Sequence, residues 1–310
     1  MENLEGHLPP TSLRERFESG DFVVTSEIVP PVSGGQDELL TLAAPFKDRL
    51  AGLNVTDGPG ARVHMSSVVA SGILALNGFN PILQLTCRDR NRIALQAELL
   101  GASALGVRDV LFLTGDDPSA GDQPDAKPVF DAKSHELLSW ATQMCTEGTL
   151  PSGRPIASPP DFFCGAADVP TVPTKGWVPD ELLRKADAGA SFVQTQLCYD
   201  IEIVKPYICG LRDHGLTERL RILIGTGPLA SATSARWMND NLFGVRVPDA
   251  VIERLDKADD PKREGRKLCA AFVNDLKDVT DTHGVHLMAP GNLATMPELL
   301  DDLEVCLADS

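Results

Sequence analysis

No apolar run in these 310 residues approaches the roughly 20 residues that a membrane-spanning helix needs. Residues 1–10 lack a basic stretch followed by an apolar one, so no secretory signal is expected and a cytoplasmic location is. Basic charge is scarce: 28 Lys and Arg stand against 44 Asp and Glu, a net charge of −16. Such a field repels nucleic acid and anionic membranes, which removes both as partners. An anionic small-molecule substrate stays compatible with it, because a local basic pocket survives inside an acidic shell. The seven cysteines, at 87, 145, 164, 198, 209, 269 and 306, form no CxxC and are odd in number. A disulfide framework is therefore not expected in a reducing compartment. No GxGxxG follows a strand-like run, so a Rossmann dinucleotide domain is poorly supported.

What is present is regular alternation. Apolar residues make up 43% of the chain, enough for a sizeable core. Ser12 and Glu15 fit a capping box for a short first helix. Strand-like runs are predicted at 23–31, 52–57, 81–87, 109–116, 161–167, 191–198, 221–229 and 285–289. Helical spacing is predicted at 36–50, 63–76, 91–100, 132–146, 179–188, 201–214, 231–242, 249–258, 261–283 and 296–307. Eight strands alternating with helices, with no linker or shift in composition, predict an α/β chain folded as a single (β/α)8 barrel over 1–310. An open doubly wound sheet is the runner-up.

In a parallel barrel the C-terminal strand ends converge on one mouth, where active sites are built. The first strand, rich in β-branched residues and stopped by Pro30 and Pro31, carries Glu27 near that end. A carboxylate on such a strand needs a reason, either an ion pair or chemistry. The other predicted ends supply Thr56, Asp57, Thr86, Cys87, Gly115, Asp116, Cys164, Gln194, Gln196 and Thr226. That is more polar chemistry than stability of a barrel requires. Asp116 after Gly115 could cap its own turn, but opposite Glu27 a paired-carboxylate role is the better reading. A general acid working near neutrality needs a carboxyl favoured in its protonated form by burial or by a like charge. Gln196 offers one donor and one acceptor to the edge of a heterocycle. Cys87, Cys164 and Cys198 read as small buried side chains rather than zinc ligands, and no metal site is expected.

Several stretches together resemble the methylenetetrahydrofolate reductase family. They are Thr25-Ser-Glu27-Ile-Val-Pro-Pro31, Leu85-Thr-Cys87, Thr114-Gly-Asp116 with its loop to Val129-Phe130-Asp131, and Lys185-Ala-Asp-Ala-Gly-Ala-Ser-Phe-Val-Gln-Thr-Gln196. The resemblance implies a (β/α)8 barrel in which hydride from NADH or NADPH, passed through FAD, reduces 5,10-methylenetetrahydrofolate to 5-methyltetrahydrofolate. It implies Glu27 as the general acid that opens the methylene bridge. Asp116 would sit beside flavin and pterin, and Gln196 would hydrogen-bond the pterin. Thr56, Gln84, Gly115, Asp116, Phe130 and Lys185 fall where the family contacts FAD. The departures cluster on the flavin side. Thr114 stands where the family has Arg, and Ala167-Asp-Val-Pro170 replaces a Pro-Glu-x-His-Pro-like segment. The implication is weak FAD binding, with a deazaflavin carrier or direct transfer from the nicotinamide as the other readings. Two readings from other classes are a folate- or corrinoid-linked methyltransferase with a thiolate zinc site, and a non-catalytic folate-binding protein. A homo-oligomer is compatible with all of them.

Overall fold

The computed structural model describes residues 12–308. Eight parallel strands close into a barrel in sequence order. They are β1 (Val23–Ile28), β2 (Gly52–Val55), β3 (Pro81–Thr86), β4 (Asp109–Leu113), β5 (Phe163–Asp168), β6 (Phe192–Leu197), β7 (Arg221–Thr226) and β8 (Gly284–Leu287). The helices are α1 (Leu13–Glu18), α2 (Gln36–Ala43), α3 (Ser67–Leu76), α4 (Arg92–Ala104), α5 (Ser134–Thr146), α6 (Asp180–Asp187), α7 (Ile201–Asp213), α8 (Ala232–Asn241), α9 (Asp249–Lys257), α10 (Pro261–Lys277) and α11 (Met296–Ala308). This is the (β/α)8 barrel that the alternation predicts, and the runner-up open sheet is set aside.

Most elements lie within a few residues of their predicted limits, and the larger differences have local causes. The capping box at Ser12 and Glu15 forms: Glu15 N–H donates to Ser12 Oγ and Ser12 N–H to Glu15 Oε2. The helix predicted over 36–50 stops at Ala43 and gives way to a 3₁₀ turn at Ala44–Phe46, because Pro45 has no N–H to continue the ladder. The helix predicted from 63 starts at Ser67, with Ser66 as its cap. The residues before it are tied elsewhere, His64 Nδ1–H donating to Pro30 O and Met65 N–H to Pro31 O. The helix predicted to run to 283 ends at Lys277. Asp281 takes a left-handed turn (φ 69°), and His283 N–H then pairs with Ile222 O to lead into β8.

By packing, the chain divides into two compact units, one chiefly Glu27–Gly165 and the other chiefly Ala166–Ala186 with Ser191 onward. In the first, β3 pairs with β2 (Leu53 opposite Pro81) and with β4 (Ile82 opposite Asp109). Its core includes Leu39, Val55, Leu74, Ile82, Leu83, Leu85, Leu95, Leu99 and Phe112, all at most 2% exposed. In the second, β7 lies between β6 (Phe192 opposite Arg221) and β8 (Leu223 opposite Gly284), and β8 pairs with the first four residues of β1. There α8 and α9 pack Ala235, Met238, Ile252 and Leu255 against Leu197 and Leu229.

Candidate functional site

In the first unit the loops after β1, β2, β3 and β4 are tied to one another. Glu27 is half-buried, one residue before the end of β1. The next residue, Ile28, accepts from Thr56 through both its N–H (3.1 Å) and its hydroxyl (3.3 Å), fastening the end of β2 there. Asp116 is exposed and does not cap its own turn: its Oδ2 accepts Gly60 N–H (2.8 Å) from the loop after β2. Asp122 likewise accepts Val63 N–H. A Cβ on Gly115 would come within 2.9 Å of Arg88 Cβ and 3.1 Å of Thr86 Cβ, so this loop lies directly on the end of β3. Gln84 is buried within β3, and Phe130, partly exposed with φ 40°, follows Val129, whose N–H donates to Arg88 O.

Asp57, read from the sequence as one more acid at the mouth, is a structural lock. Its Oδ2 accepts from Thr86 N–H, Thr86 Oγ1 and Arg90, and its Oδ1 accepts from Ser67 Oγ and Arg90. Burial pulls this carboxyl upward, but the Arg90 guanidinium and the Thr86 donors outweigh it and hold it below the usual carboxylate range. Arg88 and Arg90 escaped the sequence reading. Arg88 is almost fully buried, donating to Asp89 and to Gly58 O. Three arginines within Arg88–Arg92, in so acidic a chain, were the available signal.

In the second unit Gln196 lies on a bulge. Gln194 faces Leu223 and Leu197 faces Gly225, so β6 carries one residue more than β7 over this step. Gly225 N–H turns to Thr195 Oγ1 (2.8 Å) instead of a strand carbonyl. A side chain at 225 would sit 2.2 Å from Thr195 O, which is why a glycine stands there. Gln196 Oε1 accepts the N–H of Leu197 (2.9 Å), leaving its amide N–H groups and a second lone pair for a ligand. Below the bulge, Thr25 Oγ1 accepts Gln194 Nε2–H (3.1 Å) and lies 3.0 Å from His286 Nδ1, a buried polar cluster inside the strands.

Lys185, half-buried on α6, donates to Ala167 O (2.6 Å) at the end of β5. Next to that carbonyl, Asp168 accepts a short hydrogen bond from the buried Tyr207 hydroxyl. Burial raises the Asp168 carboxyl above its ordinary range, with Tyr207 and Lys185 acting against it, and the Tyr207 hydroxyl is held well above its own. The Lys185–Asp168–Tyr207 grouping was not foreseen, because Tyr207 lies on a helix face that periodicity reads simply as core.

Cys87 and Cys198 are buried just past the C-terminal ends of β3 and β6, whereas Cys164, expected at the mouth, is buried as the second residue of β5, at the other end of that strand. Burial pushes the Cys87 and Cys198 thiols up to about 11 and Cys164 higher still.

A profile of the methylenetetrahydrofolate reductase family matches residues 12–304. The chain belongs to that family. It is 25% identical over 252 residues to a probable methylenetetrahydrofolate reductase (NADPH) of Caenorhabditis elegans, covering 78% of this chain and 35% of that one. With the 5,10-methylenetetrahydrofolate reductase of Escherichia coli K12 it shares 24% identity over 279 residues, 86% of this chain and 84% of the other. The chain thus spans about a third of the nematode relative. Among solved structures, an uncharacterized Clostridium thermocellum protein that binds two copies of 5-methyl-5,6,7,8-tetrahydrofolic acid superposes with a TM-score of 0.64. That match covers 95% of this chain and 99% of the other at 13% identity, a likeness of fold.

Among the flavin-side residues that the family resemblance implies, Thr56 and Lys185 each hold a backbone carbonyl. Thr56 Oγ1–H donates to Ile28 O (3.3 Å), and the Lys185 ammonium gives one of its three N–H groups to Ala167 O beside Asp168. The loop after β4 carries Asp116, Asp117, Asp122, Asp125 and Asp131 with Lys127, while Arg88 lies against it and Arg92 pairs with Asp131.

Proposed function

We propose that the protein reduces 5,10-methylenetetrahydrofolate to 5-methyltetrahydrofolate, taking hydride from NADH or NADPH. The observation that carries this reading is the family match across 12–304. The folate-bound barrel of similar fold from Clostridium thermocellum fits it as well. Glu27 donates a proton to the bridging nitrogen N10 as its bond to the methylene carbon breaks, leaving an iminium on N5. Hydride from nicotinamide C4 then reaches that carbon, so one hydride and one proton are consumed for each methyl group formed. Gln196 holds the pterin through its free amide hydrogens. Asp116, fixed by Gly60 N–H, contributes negative charge that favours the cationic iminium. Because Thr114 replaces the family's flavin-side Arg and Ala167-Asp-Val-Pro170 its Pro-Glu-x-His-Pro-like segment, the nicotinamide itself is taken as the donor, and FAD or a deazaflavin has no assigned step.

The test is Glu27→Gln under single turnover, following NADH oxidation with and without methylenetetrahydrofolate. A positioned general acid is worth roughly a hundred- to ten-thousand-fold, so folate-dependent oxidation should slow by that factor. The melting temperature should hold, since Gln keeps the size of the side chain. Full folate activity in the variant removes Glu27 from the mechanism, and equal loss with a lowered melting temperature makes it structural. Direct transfer also requires that the wild-type turn over without flavin absorbance; activity appearing only on addition of FAD would restore the flavin.

A further inference from the structure

At the N-terminal ends of β3 and β4, opposite the end that Gly115 and Asp116 follow, the first unit has a chamber of about 200 Å³. Ala75, Phe79 and Pro81 form apolar wall, and Asp109 and Arg108 supply the charge. Asp109 is the unusual member. It is 3% exposed, and its Oδ1 has no hydrogen-bond partner among the described residues. A buried carboxyl oxygen without a donor costs free energy unless something in the cavity supplies one. Arg14 and Arg108 act on it only through space, and the Arg14 guanidinium is already given to Asp161 and Phe162 O. Ser12, which also borders the chamber, has both its N–H and its hydroxyl on Glu15.

The walls are preorganised by two helix ends. α3 and α4 each give way to a left-handed glycine, Gly78 (φ 78°) and Gly106 (φ 86°). In both cases the N–H of the next residue reaches back into the last turn, Phe79 to Leu74 O and Val107 to Ala102 O. Two helix C-termini therefore border the chamber, through Ala75 of α3 and Gly106 after α4. Their partial negative charge favours a cation, as the Asp109 carboxylate does. Arg108, exposed at the rim, disfavours a cation that comes alone. A ligand with an ammonium at one end and an anion beside it satisfies both. Pockets for drug-sized ligands start at roughly 300 Å³, so this chamber takes a smaller molecule.

We propose that the chamber binds a free α-amino acid with a compact apolar side chain, its ammonium on Asp109, its carboxylate on Arg108 and its side chain against Phe79 and Pro81. The site is separate from the reductase reading, since it lies at the other end of the strands. Burial adds a signature. It pushes the Asp109 carboxyl up to about 7, so about half of these groups carry a proton at pH 7, and an ammonium docked there drives that proton off.

The experiment titrates L-valine calorimetrically at pH 7 into the whole chain and into Asp109→Asn, Arg108→Gln and Ala75→Leu, the last of which fills the chamber and leaves both charges in place. Loss of either charge-assisted contact should weaken binding by roughly tenfold or more, and Ala75→Leu should abolish it. Isobutylamine and isovalerate, each valine without one of its two charges, should bind the wild-type more weakly by a similar factor. These two compounds test the assignment on the wild-type alone, whatever the substitutions do to folding. Titration in two buffers of different ionisation heat should show release of about half a proton per valine bound, and none with Asp109→Asn, a signal that lost stability does not produce. Absence of valine binding, the mark of a chamber that holds only water, overturns the proposal, as does equal affinity in Asp109→Asn. Isovalerate binding as well as valine would make this an anion site on Arg108, and isobutylamine binding as well would make it an amine site on Asp109. Either result overturns the amino-acid assignment.

Discussion

Asp109 opens β4 with a carboxyl that is 3% exposed and whose Oδ1 has no hydrogen-bond partner among the described residues. Burial pushes it up to about 7, with Arg14 and Arg108 pulling only partly in the other direction. The folded protein therefore retains a proton between about pH 4 and 7 that the unfolded chain has released. Because the folded value is raised for an acid, this group favours the fold at low pH, and its contribution is lost as pH climbs through about 7. Between pH 5 and 8 the loss should amount to about 2 to 3 kcal/mol. Asp109→Asn should abolish that part of the slope. Denaturant unfolding of both proteins at the two pH values measures it, and parallel pH dependence would show that the carboxyl titrates normally. Asp57 behaves in the opposite sense: its carboxyl is held low, so its contribution is present at neutral pH and disappears only in acid.

At the scale of the element, the bulge in β6 is the irregularity that carries Gln196. The extra residue between Gln194 and Leu197 leaves Gly225 N–H without a strand carbonyl, and Thr195 Oγ1 takes its place. Thr195→Val keeps shape and β-propensity but leaves a buried N–H unpaired, a cost of about 1 to 3 kcal/mol. The register should relax with it and move Gln196, so the KM for the folate should rise along with the fall in stability. Thr195→Ser retains the oxygen and should restore both, leaving mainly the small penalty of a lost methyl. A Val variant that loses stability but keeps folate affinity would separate the bulge from the aim of Gln196. The loops after β2 and β4 show the same logic in side-chain form, since Asp116 and Asp122 are pinned by backbone donors of the neighbouring loop.

For the whole molecule, net charge sets the terms. Forty-four acidic residues against twenty-eight basic ones repel one another across the folded surface, whereas the exposed pairs are each worth at most about 1 kcal/mol. Arg14–Asp161, Arg254–Glu264 and Arg212–Asp281 are of this kind. Raising salt from about 0.01 to about 0.15 M shortens the Debye length from roughly 30 to 8 Å. Screening the net repulsion should outweigh screening those pairs, so the melting temperature should rise in calorimetry. A fall would mean that attractive pairs, not net charge, dominate the surface.

The eight-strand alternation, the capping box at Ser12 and the position of Glu27 at a strand end were all legible in the sequence. Each depends on a local pattern: short apolar runs, helical spacing, or a hydroxyl three residues before an acid. The flavin-side departures were legible too, as substitutions within recognisable stretches. What only the tertiary structure decided is which polar groups were already committed. Asp57 looked like one more acid at the mouth until Ser67, Thr86 and Arg90 closed around it. The bulge that carries Gln196 came to light only in the register of β6 against β7. Periodicity states which face of an element is buried, because burial repeats with the backbone. The partner of a polar side chain lies tens of residues away, and only the closing of the barrel brings the two together.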